Sequence, residues 1–380
     1  MEGRSGVRLS GKQHVRQPVG AIDFDPSRYF SKLQASSLDR VSQFAVVVAG
    51  EAARRAGIQV DLANRDRVGV FLGTGMGGAE TLEATYAAFF GAEHQAQRVL
   101  LAIPAIMPHA AAAQIAMSLG VRGECQTYST ACSSASVAIG EALRRIRAGD
   151  LDCAFAGGSE SLLTPAVIHH WEKLKVLAKT ADDPATGCRP FSKDRTGFSL
   201  AEGACVFVLE EYEHARDRGA PILAELLGYG VSNDATHLTK PDADGQALAI
   251  ERALADSGLS VSDIGYINAH GTATLVGDAV ETESIKKVFG ARAYGIPVSG
   301  TKSSHGHAMG AGGAIELCAA VLALVHRAIP PTAFWTTRDS QCDLDYVPGK
   351  GRPADGLQHV MSNSFAFGGN NAVLVAGRAS

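Results

Sequence analysis

Cys132 stands in Thr130-Ala131-Cys132-Ser133-Ser134, where a strand-forming run, Glu124 to Ala131, gives way to helical spacing. A thiol in the first turn of a helix meets unpaired N–H groups and the positive end of the dipole, which favour a thiolate and can cradle an oxyanion. That is a nucleophile's position, although taken alone it is weaker than the bland reading, since most free cysteines are small buried hydrophobes. His270 lies in Asn268-Ala269-His270-Gly271-Thr272-Ala273-Thr274, just past a second β-type run, and His307 closes Thr301-Lys302-Ser303-Ser304-His305-Gly306-His307 ahead of a long apolar helix. Each by itself is equally a satisfied loop histidine. Both follow strands, however, and in open α/β sheets ligands bind in the crevice outside the strand ends. Near a helix N-terminus an imidazole tends to stay neutral, so His307 can donate an N–H to a carbonyl oxygen. Lys302 is either a solvated lysine or a charge that tunes this site. The other six cysteines form no CxxC pair and no Cys/His cluster at zinc spacing, so neither a metal centre nor a disulfide framework is expected.

The elements that must carry these residues read as strand, glycine turn and helix, twice over. Residues 37–57 have helical apolar spacing ending at Gly57, and Arg67 to Leu72 is a strand leading through Gly73, Gly75 and Gly78 into a helix over 79–90. A helix from 135 to Gly149 and a buried strand from Cys153 to Ala156 complete this grammar. It restarts after a charged helix, 210–218, with strands at 222–229, 264–267 and 296–299, helices at 245–255 and 279–289, and an antiparallel hairpin from Val360 to Ala376 around Gly368 and Gly369. The simplest organisation is two α/β halves, 1–212 with the cysteine and 213–380 with both histidines.

Composition excludes several classes. Lys plus Arg at 35 against Asp plus Glu at 39 gives no basic excess for nucleic-acid binding. The apolar stretches 99–119 and 308–325 are broken by Pro104, Pro108, His109 and Gln114, and by Glu316, so no membrane span is expected. Unpaired cysteines fit a reducing cytoplasm.

Four segments stand together: TACSS around Cys132, NAHGTAT from Asn268 to Thr274, TKSSHGH from Thr301 to His307, and SNSFAFGGNNA from Ser362 to Ala372. In this order, and over roughly Gly3 to Gly377, the chain resembles the elongating β-ketoacyl-acyl carrier protein synthases, with a thiolase-like fold of two similar α/β halves in five layers and a Cys-His-His site. The resemblance implies decarboxylative condensation of malonyl-acyl carrier protein with an acyl chain carried on Cys132, giving 3-oxoacyl-acyl carrier protein in fatty acid or polyketide-type synthesis. It implies that His270 and His307 stabilise the enolate, that Lys302 supports the second histidine with Glu316 as its charge neighbour, and that the N–H groups of Cys132 and Phe367 hold the oxyanion. Thr272 and Thr274 match residues that bind the phosphopantetheine arm, and Phe367, with Phe365, matches a gate over the acyl pocket. No metal or free cofactor is implied, since the phosphopantetheine belongs to the carrier protein. The implied partners are that carrier protein and a second copy in a homodimer, with a heterodimer as the alternative.

The chain departs from the family pattern in four places. It begins downstream of the usual first strand and glycine turn, a strand expected in the middle of the first sheet. Ala366 replaces a glycine between the gate aromatics, where a Cβ restricts φ/ψ. Ser304, His305, Leu275 and Val276 replace the usual Met-Thr and Pro-Leu pairs, pointing to a different substrate choice. Ser36 and Ser37 stand where relatives carry basic residues, leaving Arg98 and Arg189 as candidates for carrier-protein docking. The Gly73, Gly75, Gly78 spacing fits a dinucleotide loop, but no acidic residue is evident at the end of a following strand about 20 residues on, which favours a simple glycine turn. Thiolysis is disfavoured because no cysteine follows Cys342. A non-catalytic partner subunit of a heterodimeric condensing enzyme is the reading of a different class, and Cys132 argues against it.

Overall fold

The β-branched runs and glycine turns assemble into two mixed sheets in the computed structural model, which describes residues 4–10, 16–91, 101–179 and 183–379. In the first sheet β1 (Val68–Gly73) lies between β2 (Cys125–Tyr128) and β3 (Cys153–Glu160), parallel to both, and β4 (Gly203–Glu210) runs antiparallel beside β3. The second sheet takes β5 (Glu225–Asn233), β6 (Ile264–Asn268), β7 (Val298–Ser299), β8 (His359–Phe365) and β9 (Asn370–Gly377) in the order β7-β6-β8-β9-β5. The arrangement β2-β1-β3-β4 is thus repeated by β7-β6-β8-β9, with the same parallel and antiparallel neighbours. A fifth strand, β5, is added only in the second half.

That comparison corrects one expectation. The second half's own first strand, β5, lies at the edge beyond β9, so by the repeat the place for an equivalent strand in the first sheet is the edge beside β4 and not the centre. The four strands of the first sheet are hydrogen-bonded without interruption among the described residues.

Two helices fill the space between the sheets: α4 (Ser134–Arg147), which follows Cys132, and α7 (Gly312–His326), which follows His307. Small residues let them approach. A Cβ at Gly313 would lie 2.1 Å from the Ser136 hydroxyl, and one at Gly140 would lie 2.3 Å from the Tyr229 ring. The apolar stripe of α4, Ala135, Ala138, Ile139 and Ala142, joins Leu317, Ala320 and Leu324 of α7 in one fully buried cluster. Met309 to His326 is long and apolar enough to cross a bilayer by length and composition, but two thirds of it is buried between the sheets. Outer layers are formed by α1 (Arg40–Ala56) and α3 (Ala110–Leu119) on the first sheet, and by α5 (Ala243–Ser257) and α6 (Leu275–Phe289) on the second. Helix α2 (Ala79–Phe90) follows the glycine loop after β1. The order helix, sheet, helix, sheet, helix makes five layers. The charged helix between the halves is Tyr212–Asp217.

Candidate active site

Cys132 is presented by a 3-10 turn, Ala131–Ser133, between the end of β2 and the start of α4. Ala131 has φ +52°, a left-handed conformation that costs a residue with a Cβ about 1 kcal/mol, and neighbouring hydroxyls hold it there. Ser134 Oγ accepts from Thr130 N at 2.9 Å and donates to Ala131 O at 2.6 Å, while Ser133 Oγ donates to Thr130 O at 2.9 Å. The serines after the cysteine therefore build its turn. The thiol is buried among Leu162, Leu163, Phe198 and Met309.

Residues 175 apart meet here: His307 Nε2 lies 3.1 Å from Cys132 Sγ. The His270 and His307 rings stand edge to face with centroids 5.4 Å apart, and ligand atoms of Cys132, His270 and His307 all fall within 4.8 Å of one another. The Phe367 backbone N–H is near enough to the Cys132 sulfur to favour its thiolate. His270 extends from the end of β6, where Glu281 of α6 accepts from both His270 N and Gly271 N at 2.8 Å. His307 is clamped by its own backbone, donating to Ser199 O at 2.7 Å and accepting from Ala201 N at 2.9 Å.

Behind His270, Lys302 is fully buried. Its Nζ donates to His270 O at 2.5 Å, lies 3.3 Å from His270 Nδ1 and pairs with Glu316 of α7. An ammonium has no lone pair, so Nδ1 must be the acceptor, which places the ring proton of His270 on Nε2, facing the thiol side. Lys302 thus reaches the first histidine and not the second, as the resemblance had implied. Its charge still acts on both.

Burial dominates the electrostatics. Desolvation, then the Lys302 charge, hold His270 and His307 well below the ordinary imidazole value, so both are neutral at pH 7. Burial pushes Glu316 up to about 7 against the pull of Lys302. It also pushes the Cys132 thiol up to about 12, with Glu316 and Glu160 adding to the rise and Lys302 opposing it. The resting group is therefore a thiol, not the thiolate that its helix position alone suggests, because apolar surroundings outweigh the dipole.

A cavity of about 300 Å³ leads from the surface to Cys132, His270 and His307. Thr272 and Thr274 line it, joined to each other by a 3.0 Å hydrogen bond. Thr274 also caps α6 by accepting from Gly277 N. Phe365, Ala366 and Phe367 form one wall, and Phe367 stacks obliquely on Trp171 at 5.8 Å. Ala366 has φ −113° and ψ 157°, ordinary extended backbone, so its Cβ is unstrained in this conformation. The flexible points are its neighbours Gly368 and Gly369, at φ +81° and +71°. Leu275 and Val276 are exposed at the mouth together with Lys175 and Lys240. His305 lies below the site, held near 4 by burial and Lys302.

Two carboxylates that position the site were missed in the sequence. One is Glu281. The other, Glu160, closes β3 and fills the glycine loop after β1: its oxygens accept from Gly75 N at 2.6 Å, Met76 N at 3.4 Å, Gly310 N at 2.9 Å and Thr74 Oγ1 at 3.2 Å. The loop resembling a dinucleotide cradle is already filled by the protein's own Glu160 carboxyl group, which takes the N–H groups a phosphate would need. A lone acid ending an otherwise apolar strand was the available signal. Of the docking candidates, Arg98 lies outside the described residues, and Arg189 is tied to Asp194 and Thr186 O.

Residues 8–215 match the family described as Beta-ketoacyl synthase, N-terminal domain, and residues 223–335 its C-terminal domain. Nodulation protein E of Rhizobium meliloti (strain 1021) is 43% identical over 377 residues, covering 98% of this chain and 92% of that protein. The 3-oxoacyl-[acyl-carrier-protein] synthase 2 of Staphylococcus aureus is 39% identical over 356 residues, 93% of this chain and 87% of that protein. A solved Beta-ketoacyl synthase from Burkholderia phymatum STM815 superposes with a TM-score of 0.91 at 34% identity, covering 100% and 93% of the two chains. A type II polyketide ketosynthase solved with its acyl-carrier protein gives 0.90 at 32%, covering 99% and 93%.

Proposed function

The chain belongs to the β-ketoacyl synthase family, and from that membership we propose that Cys132, His270 and His307 carry out a two-step condensation in the cavity described above. It is an acyl-transferring condensing enzyme of fatty acid or polyketide synthesis. In the first step Cys132 Sγ attacks the carbonyl of an acyl-carrier protein thioester while His307 Nε2, at 3.1 Å, takes the thiol proton. The oxyanion lies against the N–H groups of Cys132 and Phe367, the carrier sulfur leaves, and His307 returns the proton to it. In the second step the malonyl carboxylate leaves as carbon dioxide. Its electron pair moves onto the thioester oxygen, where Nε2–H of His270 and His307 stabilise the enolate, and the resulting carbon attacks the acyl group on Cys132. The tetrahedral oxyanion then collapses, the C–S bond to Cys132 breaks to release the 3-oxoacyl-carrier protein, and the sulfur takes a proton from solvent to return to the thiol.

His307 acts as acceptor in the first step and donor in the second. Its Nδ1 has no partner among the described residues, which supports this, because nothing locks the tautomer. Lys302 fixes His270 as a donor throughout, and Glu316 balances the lysine. Thr272 and Thr274 contact the phosphopantetheine arm, which arrives with the carrier protein and is the only prosthetic group the reaction uses. Phe365 and Phe367 gate the acyl pocket. The two halves divide near residue 212, each contributing part of the site.

Lys175 and Lys240 at the mouth are the proposed contacts for the acidic carrier protein, in place of Arg189. The open edge of β2, with exposed Tyr86, Phe89 and Phe90 on α2, supports pairing with a second copy in a homodimer. Unpaired thiols support a cytoplasmic setting. The single observation that carries the reading is the 3.1 Å contact of His307 Nε2 with Cys132 Sγ beside a second neutral histidine.

The test is intact mass after incubation with acyl carrier protein thioesters of graded length, with Cys132→Ala alongside and the oligomeric state measured by light scattering. An adduct that requires Cys132 supports the condensing enzyme. A folded protein that takes no adduct, or forms only a heterodimer with an active synthase, refutes it in favour of the partner subunit.

A further inference from the structure

Outside the catalytic trio, the geometry points to a further positioning residue: we infer that Arg195 holds Thr272 and Thr274 in place to bind the phosphopantetheine arm. The inference rests on the reading of these two threonines as contacts of the arm. The Arg195 side chain has no exposed surface, although the next residue, Thr196, lines the cavity. Its guanidinium donates Nε–H to Thr274 O at 3.0 Å and Nη2–H to Leu275 O at 2.8 Å, while Nη1 donates to Ser192 O at 3.0 Å and to Asp339 Oδ2. Four of its five N–H groups are thus used. Asp339 and the fully buried Asp278, 3.7 Å from Nε, face the cation.

The threonine loop needs such an anchor. Ala273, between the two threonines, has φ +59°, a left-handed conformation that a residue with a Cβ disfavours. Local bonds are few: Thr274 Oγ1 accepts from Gly277 N at 3.1 Å and lies 3.0 Å from Thr272 Oγ1. Arg195 pins the two carbonyls that follow, Thr274 O and Leu275 O, and so fixes the main chain from which both hydroxyls project. It precedes the charged helix Tyr212–Asp217 between the halves, and both carbonyls come after it. The contact therefore sets one side of the cavity, Thr196 and Phe198, against the other, Thr272, Thr274 and Leu275. A lysine cannot replace it, because the three donors of an ammonium radiate from one point, whereas the planar fork spans Thr274 O, Leu275 O and Asp339 together.

The experiment follows acyl loading of Cys132 in the full-length protein by intact mass, with two thioesters of one acyl chain. The pantetheine thioester carries the arm without a carrier protein, and the S-ethyl thioester lacks the arm. In Arg195→Lys the KM for the pantetheine thioester should rise about 10–50-fold, the worth of roughly two hydrogen bonds, with the saturating rate changed less than ~3-fold. Loading from the S-ethyl thioester should also change less than ~3-fold. Thr272→Val should raise the same KM, and adding Arg195→Lys to it should raise KM less than in the wild-type background, because both act on one contact. Asp339→Asn, at the partly exposed end of the anchor, should raise KM by roughly 3-fold and serves if Arg195→Lys misfolds. Equal losses with both thioesters, an unchanged KM, or fully additive effects of Arg195→Lys and Thr272→Val overturn the inference. A wild type that loads the two thioesters equally refutes the threonine reading and the inference with it. A wild type that prefers the arm, with that preference kept in Arg195→Lys, overturns the inference alone.

Discussion

Replacing Lys302 by Met should separate the two half-reactions and shift stability in a pH-dependent way. Lys302 and Glu316 are 0% and 1% exposed, and removing one member of such a pair costs about 3–5 kcal/mol when the other remains charged. Glu316 has an escape, since its pKa in the fold is already raised from 4.5 to about 7 with the lysine present. That rise alone corresponds to ~3 kcal/mol of preference for the protonated form. Without Lys302 it rises further. A carboxyl raised in the fold contributes stability below its unfolded value of 4.5 and loses it as pH climbs through the folded value. The loss relative to wild type should therefore be about 3–5 kcal/mol at pH 8.5 and smaller by at least ~1–2 kcal/mol at pH 5.5, where Glu316 becomes neutral. Taking the difference at each pH cancels the other buried carboxyls, Glu160 and Asp278, which also sit near 7. Urea denaturation of both proteins at the two pH values measures it, and adding Glu316→Gln should restore most of the loss.

Catalysis should not be restored with it. Without the ammonium, His270 is free to carry its proton on Nδ1 and turn a lone pair toward the malonyl thioester oxygen. Loss of one such donor is worth about 10²–10³ in rate. Decarboxylation of malonyl-carrier protein should fall by that factor, while acyl transfer to Cys132 falls less than ~10-fold. Equal losses in both half-reactions, or the same destabilisation at pH 5.5 and 8.5, would refute the reasoning.

Three further outcomes are expected. Glu160→Ala leaves three N–H groups and one hydroxyl without an acceptor and should lower stability by about 3–5 kcal/mol, with Glu160→Gln milder; thermal denaturation decides, and a neutral Ala variant rejects the anchoring role. Because His270 and His307 are held well below 6.5, malonyl decarboxylation should stay level from pH 8 down through 6.5, and an acid limb centred at 6.5 contradicts their burial. Ala366→Gly should widen the acyl-length range or speed loading by about 2–10-fold if the Cβ limits rotation of the gate, consistent with glycine's wider φ/ψ range; an unchanged profile across acyl lengths rejects this.

The helices and strands were legible because their signals are local. Arg67 to Leu72 and Ile264 to Ile267 are short apolar runs closed by turns, and 37–57 carries a 3.6-residue stripe ended by Gly57, which indeed caps α1 at φ +63°. The apolar stretch after residue 99 was less legible: prolines broke its periodicity, and it folds as a short helix, Ala102–Ile106, followed by α3. The position of the first strand was misjudged because strand order is a property of the whole sheet, which neighbouring residues do not encode.

By itself the sequence determined the reactive types and their immediate settings: a cysteine entering a helix, two histidines after strands, and hydroxyl and glycine residues that shape each turn. These follow from bonds within a few residues. Only the tertiary structure decided which groups are charged and where each proton sits. Lys302 reaches His270 across 32 residues, Glu160 reaches Gly310 across 150, and Phe367 N–H meets Cys132 from the other half of the chain. Such contacts arise when two sheets close over α4 and α7. Burial then sets the balance, because the cost of a charge depends on the water excluded from every side and not on the residues beside it in the chain.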